Sequence, residues 1–159
     1  VTEPAIGQYG LVRTKTFSAW FIQLGTKSYF DHAIIYLGES RIAEATPKKG
    51  IHIGDVHAYK NVAWNRHEAI TQAQGIAIAN AAESFVGQKY LFRAIFAIAC
   101  KILHIPLPKR FYGDLDKAKG AICSEFVVKA RRKAGVPIEG KKSDYLVSPA
   151  DLANRLLYI

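Results

Sequence analysis

The chain has 159 residues, half of them hydrophobic, enough for a single domain over 1–159 with its own core and no covalent staples. Its two cysteines, Cys100 and Cys123, stand apart from any clustered His/Cys ligand spacing, so neither a disulfide scaffold nor a structural zinc site is expected. A net charge of +9 suits an anionic envelope or membrane surface. Nucleic acid is the weaker partner, because the basic residues are dispersed outside 129–133 and 141–142 and do not interleave with aromatics. The chain opens at Val1 with no charged-then-apolar leader, which points to a leader removed or never present and leaves the compartment open.

Residues 8–13 predict a short strand, and the aromatic-rich run 16–24 a helix stopped by Gly25. Residues 30–37 and 41–46 are two β-rich runs separated by Gly38, Glu39 and Ser40, and together they predict a hairpin. The parity of its turn decides what shares a face. With a three-residue turn, Leu37 pairs with Arg41, Tyr36 with Ile42 and Ile34 with Glu44, so His32 and Glu44 become diagonal neighbours on one face. A two-residue turn would send Glu44 to the other face. Alone, His32 is as readily a structural histidine as a base, and Glu44 as readily a solvated strand residue; the pair carries more than either member.

A third strand is expected over 51–56, with His52 and Gly54 pointing opposite to Ile51, Ile53 and Asp55, and a fourth over 61–67. No partner is evident for His52, His57 or His67, which read as surface or structural residues. Thr71 and Gln74 have capping-box spacing for an alanine- and isoleucine-rich helix running to residues 85–86 before Gly87. Residues 90–107 are the most apolar stretch, but Arg93 and Lys101 interrupt it, so it falls short of the ~20 clean residues of a spanning helix. It reads as a buried helix holding Cys100, or as a wall for lipid or a hydrophobic substrate. Residues 109–119 form a polar connection.

A helix then begins near Cys123. Cys123, Phe126, Val127, Ala130 and Ala134 make one apolar stripe, Lys129 and residues 131–133 place cations near the C-terminal end, Gly135 closes the helix and Pro137 bars continuation. A cysteine in the first turn sits among unpaired backbone N–H groups that favour thiolate, and so a nucleophile. On an apolar stripe a cysteine is also an ordinary core residue, so Cys123 needs a histidine and an orienting partner before it counts as catalytic. After a charged loop at 139–143, Ser148, Pro149 and Asp151 open a last helix through residue 157.

His32 and Glu44 on a hairpin, followed by Cys123 at a helix start, resemble the circularly permuted NlpC-type cysteine hydrolases of the papain fold, in particular the YiiX-like bacterial group related to lecithin retinol acyltransferase-like proteins. The likeness rests on Gly10 to Thr14, His32 to Gly38, Ile42 to Pro47, Cys123 to Val127 and Ser148 to Leu152 in that order. It implies an α+β papain-like fold, with a small antiparallel sheet packed against helices and the cysteine helix butting its N-terminus toward the sheet face that displays His32. It further implies Cys123 as nucleophile, His32 as base and Glu44 as the residue that orients it. Acyltransferase-like relatives usually carry a second histidine where this chain has Glu44, which leans away from their lipid chemistry.

The expected activity is cysteine-dependent hydrolysis of an amide, in a peptide or a peptidoglycan-derived substrate, through a thioester and without cofactor or metal. An acyl-lipid hydrolase or transferase, and a non-catalytic binding module with a relic site, are the alternatives.

Overall fold

A computed structural model describes residues 3–14, 29–66, 68–90, 97, 100, 104–110, 122–138 and 147–157. The expected helix at 16–24, most of the apolar stretch 90–107, the connection after residue 110 and the loop at 139–143 lie outside them.

The architecture is α+β. Five antiparallel strands, β1 (Tyr9–Val12), β2 (His32–Gly38), β3 (Arg41–Thr46), β4 (Gly50–Asp55) and β5 (Val62–Trp64), form one sheet in the order β4-β3-β2-β1-β5. Among the described residues three helices accompany it, α1 (Gln72–Glu83), α2 (Cys123–Lys133) and α3 (Pro149–Leu157). A short 3-10 turn (Val56–Ala58) follows β4, capped by the Asp55 carboxylate, which accepts from the His57 N–H at 2.9 Å.

Strand alternation splits the sheet into two faces. Leu11, Ala33, Ile35, Ala43, Ala45 and Ile51 join Ile78 of α1, Phe126, Val127 and Ala130 of α2 and Leu152 of α3 in one buried cluster. Val12, Ile34, Tyr36 and Ile42 form a second cluster on the opposite face, under Val56, Tyr59, Val62 and Trp64. Both faces of the central strands are therefore covered, and β2 is buried along its whole length.

The β2–β3 turn differs from expectation in an instructive way. Two residues, Glu39 and Ser40, make the turn, both in the left-handed region at φ 52° and 62°, as a tight hairpin turn of this hand requires. By itself that turn would put Glu44 on the wrong face. Gly38, rather than Leu37, pairs with Arg41, and an irregularity between Tyr36 and Gly38 inserts one extra residue into β2. The bulge restores the parity, so Tyr36 still opposes Ile42 and Ile34 still opposes Glu44.

The helix boundaries follow local chemistry. Thr71 caps α1 in a full capping box with Gln74: the Gln74 N–H donates to Thr71 Oγ1 at 3.2 Å and the Thr71 N–H to Gln74 Oε1 at 2.9 Å. The helix stops at Glu83, two to three residues short of expectation, and a turn leads to Gly87 at φ 90°. Asp151 likewise accepts the Ser148 N–H at 2.9 Å and the Ser148 hydroxyl at 2.8 Å at the start of α3.

α2 buries more than its apolar stripe. Ser124, Glu125 and Arg131 are buried as well, each satisfied. Ser124 Oγ donates to Val147 O at 2.6 Å, tying the start of α2 to the segment before α3. Glu125 Oε2 accepts the Ile122 N–H at 3.3 Å, and its other oxygen pairs with Lys129 Nζ at 2.7 Å. Arg131, one of the cations placed near the helix end, reaches Val136 O at 3.0 Å and the Glu68 carboxylate with its guanidinium. A buried arginine requires such partners, since an unpaired charge there costs several kcal/mol.

Candidate active site

His32 opens β2 and pairs across the sheet with Val12, so it shares a face with Ile34 and, one strand over, with Glu44. Its Nε2 lies 2.7 Å from Glu44 Oε2. Cys123 belongs to the other side: α2 packs on the face of Ala33 and Ile35, and the Cys123 side chain lies in that cluster. The expectation that the cysteine helix approaches the face displaying His32 is thus corrected. The helix covers the opposite face, and His32, as the first residue of its strand, is the position that the start of α2 can reach around the sheet's end.

The Cys123 side chain stands close enough to the His32 imidazole to act on its protonation, and its Sγ donates to Asp31 O at 3.8 Å. With Nε2 on Glu44, Nδ1 is the ring nitrogen left for the sulfur. Cys123, His32 and Glu44 are 2%, 7% and 6% exposed, so their interactions act through little water. Asp31 steadies the residue next to His32: its carboxylate accepts the Thr14 N–H at 2.8 and 3.0 Å and the Thr14 hydroxyl at 2.8 Å, clamping the end of β1 to the start of β2.

The electrostatics follow from this arrangement. Burial disfavours a charged imidazole, but the hydrogen bonds to Cys123 and Glu44 and the charges of both outweigh it, raising His32 from 6.5 to about 10. Burial would likewise lift Glu44, yet the hydrogen bonds from His32 and Tyr59 and the nearby imidazoles hold it below its ordinary value. Tyr59, pushed up by burial and by Glu44, stays a neutral donor. Its hydroxyl donates to Glu44 Oε2, and its ring lies 5.9 Å from the His32 ring. Tyr90, packed against the cluster that holds Cys123, is raised by burial and by the charge of Cys123.

The residues singled out in the sequence, Cys123, His32 and Glu44, come together. The histidines set aside do not all stay aside. His52 opposes Glu44 directly in the β3–β4 register, and its Nε2 stands 3.3 Å from Glu44 Oε1, which corrects its reading as partnerless. His57 Nε2 lies 3.1 Å from Ser40 Oγ at the surface, and His67 lies outside the described residues.

The signal for His52 was available: a three-residue turn over 47–49 pairs residue 44 with residue 52 by the same parity argument that links His32 to Glu44. Tyr59 and Asp31 carried no such signal, one lying in a loop and the other reaching the site through its backbone carbonyl. Cys100 is a buried free thiol. Among the described residues no group of three or more His, Cys, Asp and Glu is placed to hold a metal ion, and no helix is long and apolar enough to cross a membrane.

Compared with known proteins, the chain matches no family model and no curated sequence.

Proposed function

We propose that this chain is a cysteine hydrolase of the permuted NlpC type, with a papain-like arrangement, and that it cleaves an amide bond through a thioester. The observation that carries the reading is a single imidazole, 2.7 Å from the Glu44 carboxylate and with the Cys123 side chain beside it. That is the order nucleophile, base, orienting acid which nucleophilic catalysis needs.

In the first half-reaction His32 holds the thiol proton and the sulfur of Cys123 attacks the substrate carbonyl carbon. The tetrahedral oxyanion is met by backbone N–H groups at the start of α2, that of Cys123 among them. His32 then gives its proton to the leaving nitrogen, the C–N bond breaks, and an amine departs from the acyl-thioester. In the second half, water gives a proton to His32 and attacks the thioester, and the proton returns to sulfur as the acid leaves. Glu44 keeps Nε2 protonated and offsets the imidazolium charge in both halves.

The net charge of +9 suits substrates in an anionic envelope, such as peptidoglycan-derived peptides. The test is turnover of a panel of peptidoglycan fragments, short peptides and phospholipids by the parent and by Cys123→Ala. Release of amine from a peptide member, abolished in Cys123→Ala, is the expected result. Acyl release from phospholipid alone would move the site to lipid chemistry, and turnover retained in Cys123→Ala would end the nucleophilic scheme.

A further inference from the structure

Glu44 has two oxygens, and the orienting role just described uses one of them. Oε2 receives His32 and Tyr59, while Oε1 faces His52 Nε2 at 3.3 Å. The His52 ring is fixed at its other end, where Nδ1 lies 3.1 Å from Gly50 O. β4 also leaves room for the carboxylate: a Cβ at Gly54, which opposes Ile42 on the same face, would fall 2.7 Å from Glu44 Oε1.

The terminal torsion of a glutamate is broad and roughly two-fold, so one contact on Oε2 does not fix the carboxylate plane. Two donors on Oε2 and a ring nitrogen held against Oε1 do. We propose that His52 is a positioning residue of this site, holding Glu44 Oε1 so that Oε2 stays on the His32 ring. The side-chain contact of His52 toward the site is with Glu44, so it acts through Glu44.

The proposal rests on the reading of Cys123 and His32 as a reactive pair, and the test separates the two. Around Glu44 the ionisable groups are His32 from β2, His52 from β4 and Tyr59 from the segment after the 3-10 turn; around His32 they are Cys123 and Glu44. The probe is iodoacetamide, which needs no known substrate. Its second-order rate at Cys123 is read by peptide mass spectrometry against Cys100 in the same sample, at neutral pH, together with the melting temperature of each variant.

Three variants are compared with the parent. His32→Ala is expected to slow alkylation of Cys123 to the rate of an unassisted thiol. His52→Leu keeps bulk and removes the ring nitrogen that faces Oε1, and is expected to slow it about tenfold, the scale of one polar contact to a charged group. His52→Gln, which places an amide N–H near the old Nε2, is expected to recover most of the rate, with melting temperatures for both His52 variants close to the parent. Equal rates for His52→Leu and His52→Gln overturn the positioning role while leaving the Cys123–His32 pair intact. A parent-like rate in His32→Ala overturns the pair itself, and the proposed function with it.

Discussion

Glu44, a carboxylate 6% exposed, is hydrogen-bonded by His32 and Tyr59 and faced by His52 at 3.3 Å, and these polar neighbours make burial of its charge tolerable. A buried carboxylate stripped of such partners protonates or unfolds its surroundings. Glu44→Gln is therefore a sharp test of its role. The amide keeps the size and one oxygen acceptor, but it no longer offsets an imidazolium and no longer fixes which nitrogen of His32 carries the proton. Turnover is expected to fall on the order of 100-fold, the usual scale of general acid–base assistance, with KM little changed and a larger loss in Cys123→Ala. Parent-like kcat in Glu44→Gln would make Glu44 a structural residue.

At the scale of the element, the β2–β3 hairpin carries the most information per residue. Its register is set by two compensating features, the two-residue turn and the extra residue in β2, and together they put His32 and Glu44 on one face. The turn is made of residues poorly suited to it, since Glu39 and Ser40 both have positive φ where Asn and Gly fit without steric cost.

The double substitution Glu39→Asn with Ser40→Gly is expected to stabilise the fold by about 1 kcal/mol, raising the melting temperature by about 3 °C in a chain of this length. The exposed contact between Ser40 Oγ and His57 would be lost at little expense. Unchanged or lower melting temperature would mean that the turn is not strained. α2 shows the complementary economy: its first turn serves the site, while Arg131 in its last turns ties the helix to Glu68 and Val136.

For the whole molecule, the same contacts make stability depend on pH in a defined direction. His32, opposed by burial but held by Cys123 and Glu44, binds its proton more tightly folded than unfolded. Its contribution is whole below its ordinary 6.5 and is lost as pH rises through about 10. Tyr59 acts in the same sense at still higher pH, because folding favours its neutral form. Glu44 acts in the opposite sense: held below its ordinary 4.5, it contributes stability above that value and loses it as pH falls through its folded value. The melting temperature is expected to peak between about pH 4.5 and 6.5 and to decline on both sides, with a shallower acid decline in Glu44→Gln. A pH profile identical in parent and Glu44→Gln would contradict the electrostatic account of the site.

Where a rule was local, the sequence determined the outcome. Strand alternation, the Thr71–Gln74 and Ser148–Asp151 caps and the stripe from Cys123 to Ala130 each depend on residues a few positions apart, and each element formed close to where those residues placed it. The diagonal relation of His32 and Glu44 also followed from parity, although the register was reached by a bulge rather than a three-residue turn.

Contacts between distant segments were decided by the tertiary structure alone. α2 lies on the sheet face opposite to His32 because that is where the odd-numbered apolar residues of β2 and β3 need covering, and Cys123 reaches the ring because both stand at the ends of their elements. Tyr59 meets Glu44 because the chain after β4 folds back over the second face. Arg131 is buried because Glu68, 63 residues away in sequence, is there to receive it. None of these depends on spacing along the chain; each is set by which surfaces had apolar area left to bury and which buried polar groups then had to find partners.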